Sequence, residues 1–179
     1  MNDNENPDFG LAPGELRLVP VDPDWEVRFA VERDRISTAL GAAALDIQHI
    51  GSTAIPGILA KPILDIAVAI QSYEGGFPLV PLLVGLGYEY RGENGIPRRH
   101  FFVYGSPRRT HHLHVFEQHG AEWAHHLRFR DVLLGSPSTA ARYSEIKNAA
   151  LAASGGNRDL YQSLKSSFIT EVHGLWAAA

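Results

Sequence analysis

One carboxylate inside an apolar strand constrains this chain more than any other feature. The run Ile63–Ile70 reads ILDIAVAI, with Asp65 its single polar side chain. Its spacing predicts a strand on which Asp65, Ala67 and Ala69 share one face and Ile66, Val68 and Ile70 the other. An ionised carboxylate among Ile and Leu is costly unless it is paired, hydrogen-bonded or metal-bound. Either Asp65 pairs structurally with Lys61 or a neighbouring arginine, or it belongs to a functional site.

The segment before it supports the second reading. Leu45–Ile50 reads as a strand and ends on Gly51-Ser52. Glycine lets a backbone approach closely, so this pair offers N–H groups and one hydroxyl to an anion. It is no Walker A loop, because no Gly-Lys-Ser/Thr follows and Lys61 stands nine positions beyond Ser52.

The rest of the composition narrows the class. A chain of 179 residues suits one domain with its own core. With no cysteine, a disulfide framework, a zinc ribbon, an iron–sulfur cluster and a thiol nucleophile are all excluded. No apolar stretch approaches a bilayer span, and the opening MNDNENPDFG is too acidic for a signal peptide, so a cytoplasmic protein with no membrane partner is expected. A net charge of −4 disfavours duplex nucleic acid as a partner. The charge is uneven, however. Residues 98 to 130 carry six arginines against Glu117 and Glu122, and seven of the nine histidines fall between 100 and 126. That zone reads either as a site for a small anion or as a solvated arginine face.

Residues 1 to 15 read as a flexible tail, and 16 to 175 as a single domain. A short strand at Leu16–Pro20 precedes a helix opened by Asp22-Pro23, with Trp25, Phe29, Ile36 and Leu40 at helical spacing up to Gly41. A proline-opened helix is expected from Phe77 to Leu86. Two strands, near Arg99–Tyr104 and His111–Phe116, flank a turn at Gly105-Ser106-Pro107. Three helices follow, at Glu122–Leu134, Pro137–Ala153 and Asn157–His173, the last two with inward stripes Tyr143/Ile146/Ala150 and Tyr161/Leu164/Phe168. Strand pairs with a helical C-terminal third favour α+β, a mixed or antiparallel sheet flanked by helices, over a doubly wound fold.

In THHLHV, Thr110–Val115, His112 and His114 project from one strand face and His111 and Leu113 from the other. Two imidazoles at this spacing either grip one metal ion or phosphate group, or are half-exposed strand residues. A histidine-triad hydrolase would need a third histidine where Phe116 stands. On the next helix Glu122, His126 and Arg130 share a face, with Arg130-Asp131 readable as a surface ion pair. Lys147 and Lys165 read as solvated lysines.

Taken together, Asp22-Pro-Asp-Trp, HIGSTAIPGILAKPILDI, RGENGIPRRHFF, THHLHV, HLRFRD and the late Lys165-Ser-Ser-Phe-Ile resemble the GrpB family, over residues 16 to 172. The resemblance implies a polymerase-beta-like nucleotidyltransferase fold; a related domain is appended to some bacterial dephospho-CoA kinases. In that fold a Gly-Ser turn holds the phosphates of a nucleoside triphosphate, and carboxylates two apart on the next strand clamp a metal. Gly51, Ser52 and Asp65 match, whereas Ala67 occupies the second carboxylate position. His112 and His114 are the available substitutes, so the implied divalent metal is magnesium or, given the imidazoles, manganese, zinc or nickel. Asp65, His112 and His114 are then the candidate catalytic and metal residues, and Gly51, Ser52, Lys61, Arg98, Arg99 and Arg130 the phosphate ligands. The expected substrate is ATP, another nucleotide or a small phosphorylated molecule. The alternatives are a non-catalytic ligand-binding or regulatory module and a metal-dependent phosphoester hydrolase.

Overall fold

Alternation along two strands decides the architecture. A computed structural model describes residues 9–177 of the chain; the expectation of a flexible tail over residues 1–8 lies outside them. The elements are β1 (Val19–Pro20), α1 (Asp24–Leu40), β2 (Asp46–Ile50), β3 (Leu59–Ala60), β4 (Leu64–Ile70), α2 (Val80–Gly85), β5 (Glu89–Tyr90), β6 (His100–Tyr104), β7 (His111–Glu117), α3 (Ala121–Gly135), α4 (Pro137–Ser154) and α5 (Arg158–Ala177). Five strands form one mixed sheet in the order β2-β4-β7-β6-β5, and β1 pairs with β3 separately. Within the sheet β4 and β7 run parallel, and every other pairing is antiparallel.

The two faces of β4 bury different partners. Leu64, Ile66, Val68 and Ile70 join Leu113 and Val115 of β7 against Trp25, Phe29, Ile36 and Leu40 of α1. The opposite face carries Ala67 and Ala69, whose small side chains pack with Phe116 of β7 and Trp123 of α3. A further cluster, with Leu133, Tyr143 and Phe168, ties α3, α4 and α5 together. The result is an α+β fold with a helical C-terminal portion, as the order of elements implied.

Local signals set the helix ends. The Asp22 carboxylate accepts from the Asp24 N–H at 2.9 Å. Ser136 accepts from the Thr139 N–H, with Pro137 in the first turn of α4. Pro78 lies in a 3₁₀ turn over Glu74–Leu79, so the helix expected from Phe77 to Leu86 divides into that turn and a short α2. The strands β3 and β5 are two residues long, too short to show a period, and were not anticipated. Leu164, placed on an inward stripe, is 40% exposed. Among the described residues no helix is long and apolar enough to cross a membrane.

The domain also begins earlier than residue 16. Residues 9–11, expected to be tail, are docked: Phe9 is 1% exposed and Leu11 2%. The Gly10 N–H donates to Pro62 O at 2.8 Å, and Leu11 and Arg109 exchange both backbone hydrogen bonds. The Arg28 guanidinium covers the Phe9 ring at 4.8 Å. Composition misleads here because two apolar side chains among polar neighbours suffice to anchor a segment when a core pocket awaits them. Phe9→Ala is expected to cost about 3 kcal/mol of stability, read as a lower urea midpoint at unchanged slope; an unmoved midpoint would mean the segment contributes nothing.

Candidate functional site

Parallel pairing places Asp65 of β4 opposite His112 of β7, and Ala67 opposite His114. All of these side chains project to the face away from α1. The His112 Nδ1–H donates to Asp65 Oδ1 at 3.0 Å. Among the described residues its other ring nitrogen, Nε2, has no hydrogen-bond partner, and His112 lines an open cleft. His114 Nε2 lies 3.7 Å from the same carboxylate oxygen, too far for a hydrogen bond but near enough for charge to be felt. Burial alone would raise the Asp65 carboxyl; the His112 hydrogen bond and the two imidazoles outweigh it and hold the group well below the usual carboxylate range. Burial pushes His114 down to about 4, against the pull of Asp65, so its ring is neutral at neutral pH.

The Gly-Ser turn closes directly on this carboxylate. Gly51 adopts φ +69°, and a Cβ there would fall 2.5 Å from Asp65 Oδ2. Only glycine satisfies both the backbone angle and the approach. Burial raises the Tyr143 hydroxyl to about 12, against a smaller downward pull from nearby Ser52.

The cleft has a volume of about 530 Å³ and lies between the β4–β7 face and helices α3, α4 and α5. It gathers seven of the expected residues: Gly51, Ser52, Lys61, Asp65, Arg99, His112 and His114. Arg99 is buried, donating to Glu93 O and Asn94 O and lying 4.5 Å over the Phe101 ring. No carboxylate pairs with it among the described residues, and burial takes its guanidinium down to about 10.

Two expected phosphate ligands lie elsewhere. Arg98, a neighbour of Arg99 in sequence, turns to the surface and is held by Glu117 at 2.9 Å and Glu74 at 3.4 Å. Arg130 binds Gln48 Oε1 at 2.7 Å, His49 O at 3.0 Å and Asp131 at 2.8 Å, tying α3 to β2. Neither lines the cleft, and the bonds named are all made outside it.

Other residues enter unforeseen. Arg109, Arg158 and Lys165 add three cations to the cleft wall, with His126, Tyr143 and Tyr161. Lys147 and Lys165, read as solvated, are 1% and 6% exposed. A signal for both was present: Lys147 stands between Tyr143 and Ala150, and Lys165 between Tyr161 and Phe168, at helical spacing within the inward stripes. Burial, reinforced by mutual repulsion with Lys61, takes each down to about 7.

The implied metal was tested against the donors. His114 Nε2 is a buried nitrogen without a partner, a position where a metal would be sought. Arg99 Nη1, however, lies 3.2 Å from His114 Nδ1, and a guanidinium only donates. His114 Nδ1 therefore accepts, its proton sits on Nε2, and the lone pair a metal needs is spent. His112 directs its Nδ1–H at Asp65, so of the two imidazoles only its Nε2 keeps a free lone pair. The three side chains do not fit a resident metal ion, and among the described residues no group of three His, Asp or Glu is arranged to hold one.

Known proteins share sequence and fold with this chain. The family model described as GrpB protein matches residues 15–174. A UPF0157 protein of Pseudomonas aeruginosa is 39% identical over 92% of this chain and 69% of its own. The crystal structure of conserved protein GrpB from Enterococcus faecalis superposes with a TM-score of 0.80 at 31% identity, covering 87% of this chain and 94% of that one. A dephospho-CoA kinase of Mycolicibacterium paratuberculosis is 26% identical over 91% of this chain, which spans 46% of the kinase.

The lysines give the site a pH signature. Unfolded lysine titrates near 10.5, so from about pH 7 to about 10.5 the unfolded chain binds protons that folded Lys147 and Lys165 refuse. Their contribution to stability therefore rises with pH across that window. Thermal melts should show this rise in the wild type and a flatter profile in a Lys147→Met/Lys165→Met double variant; equal slopes would contradict it.

Proposed function

The chain belongs to the GrpB family, and we propose that its cleft binds a nucleoside triphosphate or another small phosphorylated molecule and acts in nucleotidyl or phosphoryl transfer. One observation carries the reading. Among the described residues, five basic side chains, Lys61, Arg99, Arg109, Arg158 and Lys165, face a cleft whose single carboxylate is Asp65. A volume of about 530 Å³ suits a nucleotide-sized ligand. Dephospho-CoA kinases among the relatives support the same chemistry at a distance, since the kinase activity belongs to proteins of which this chain spans less than half.

The residues divide the work. Asp65 fixes the His112 ring through Nδ1–H, leaving Nε2 to take a proton from an acceptor hydroxyl or water. Arg99 stabilises charge on the reacting phosphate's oxygens, the Gly51-Ser52 turn offers its backbone beside it, and Lys61 holds a phosphate further along the cleft. Any divalent ion that accompanies a nucleotide is then carried by the substrate's phosphates. The hydrolase reading required Asp65, His112 and His114 to share a metal, and the donor directions do not support it. A ligand-binding module without turnover is favoured by one observation: Ala67, where a second carboxylate would stand, is fully buried between Gln48 and His114.

Calorimetry with ATP, the other triphosphates and simple phosphate esters, with and without magnesium, manganese, zinc or nickel, tests binding. Arg99→Met should weaken it about tenfold or more. His112→Ala should leave binding nearly unchanged and lower turnover about 100-fold. Binding without turnover under every condition would select the module, and no binding by the wild type would refute both.

A further inference from the structure

Lys61, Lys147 and Lys165 come from three separate segments and converge at the helical end of the cleft. Lys165 Nζ lies 4.3 Å from the centre of the Tyr161 ring and Lys61 Nζ 5.6 Å from the same ring. Lys147 Nζ lies 4.5 Å from the centre of the Tyr143 ring and donates to Leu59 O. Lys61 and Lys165 line the cleft directly. Among the described residues none of the three ammonium groups forms an ion pair with a carboxylate. The one carboxylate whose charge reaches Lys61 and Lys165 is Asp65, already engaged by His112. Three like charges gathered in a poorly solvated place, with one aimed into a cleft and nine-tenths buried, lack a counter-ion.

We infer that Lys61 and Lys165, with Lys147 behind them adding its charge, form a phosphate subsite, which holds a non-reacting phosphate dianion of the ligand away from the Asp65–His112 pair. The inference rests on the cleft's taking a phosphorylated molecule, and it restricts the substrate class. The ligand carries at least one phosphate remote from the group that meets His112. The aromatic floor of Tyr143 and Tyr161 keeps the amines dry, so each hydrogen bond they make to an anion is charge-assisted and little screened.

A consequence is proton uptake. The groups facing the amines are Lys61, Asp65 of β4, Tyr143 of α4, Tyr161 and Arg158 of α5, and Arg109 before β7. Burial raises both phenols, so they stay neutral. Lys147 and Lys165 are the groups held near 7, and a dianion draws protons onto them.

Sulfate separates the possibilities because its charge is constant over this range. Titration of the wild type with sulfate, in two buffers of different ionisation enthalpy, is expected to show net proton uptake that grows above about pH 7 and affinity that falls toward about pH 9. Inorganic phosphate should bind at the same place. Lys165→Met and Lys147→Met should each weaken sulfate about tenfold or more, with His112→Ala unchanged. The double variant should melt no lower than the wild type at neutral pH, since it removes unpaired buried charges. Sulfate binding without proton uptake, binding lost in Arg99→Met but kept in Lys165→Met, or no binding by the wild type would each overturn the subsite. If sulfate binds at the lysines while His112→Ala leaves turnover intact, the catalytic reading fails and the subsite stands.

Discussion

The hydrogen bond between Asp65 and His112 is the interaction on which the rest of the site depends. It exists because β4 and β7 run parallel and in register, with residue 65 opposite residue 112. The sheet is otherwise antiparallel, and this one parallel pairing sets its centre. Gly51 seals the carboxylate from the β2 side, and His114 stands beside it one pleat further along β7. With Asp65 ionised, the cleft holds a negative charge that partly offsets the cations around it. Without it, Lys61 and Lys165 would face only one another and the arginines.

Electrostatics and burial together explain why the cleft is cationic in a chain of net charge −4. Most acids sit on exposed helix faces or in surface pairs such as Arg98 with Glu117, where water screens them. Lys61, Arg99 and Lys165 are desolvated and, among the described residues, form no ion pair with a carboxylate, so their field is concentrated where a ligand would lie. His114 and His126 are not further cations. Burial keeps His114 and His126 neutral at neutral pH, which leaves them as hydrogen-bonding and packing groups.

Much of the fold was legible because its signals are local. The two-residue alternation of β4 and β7, the Asp22 and Ser136 helix starts and the apolar stripe of α1 each follow from spacing within a few residues. The two-residue strands carry no period. The docking of Phe9 and Leu11 depends on a surface built from residues around 62 and 109. Among the site residues, Asp65, His112 and the Gly51-Ser52 turn stood out because each breaks a local rule. Arg98 and Arg99 could not be told apart: adjacent in sequence and identical in chemistry, one goes to Glu117 and the other beneath the cleft. Lys147 and Lys165 were misread because a lysine's usual preference for water outweighed its place within an apolar stripe.

One carboxylate and two imidazoles on strand faces, a glycine closing a turn near them and the absence of cysteine chemistry all follow from the residues alone. These are properties of residue type and period, and a strand exposes them directly. Only the tertiary structure decided which cations meet that carboxylate. Lys165 of α5 and Arg99 reach it, and Arg109 and Arg158 reach the same cleft, by chain crossings that no local pattern encodes. It also decided the direction of the imidazole protons: Arg99, packed against His114 Nδ1, turns an apparent metal ligand into a hydrogen-bond donor. Side-chain chemistry is written residue by residue, whereas the partner that fixes a tautomer or withholds a counter-ion comes from packing.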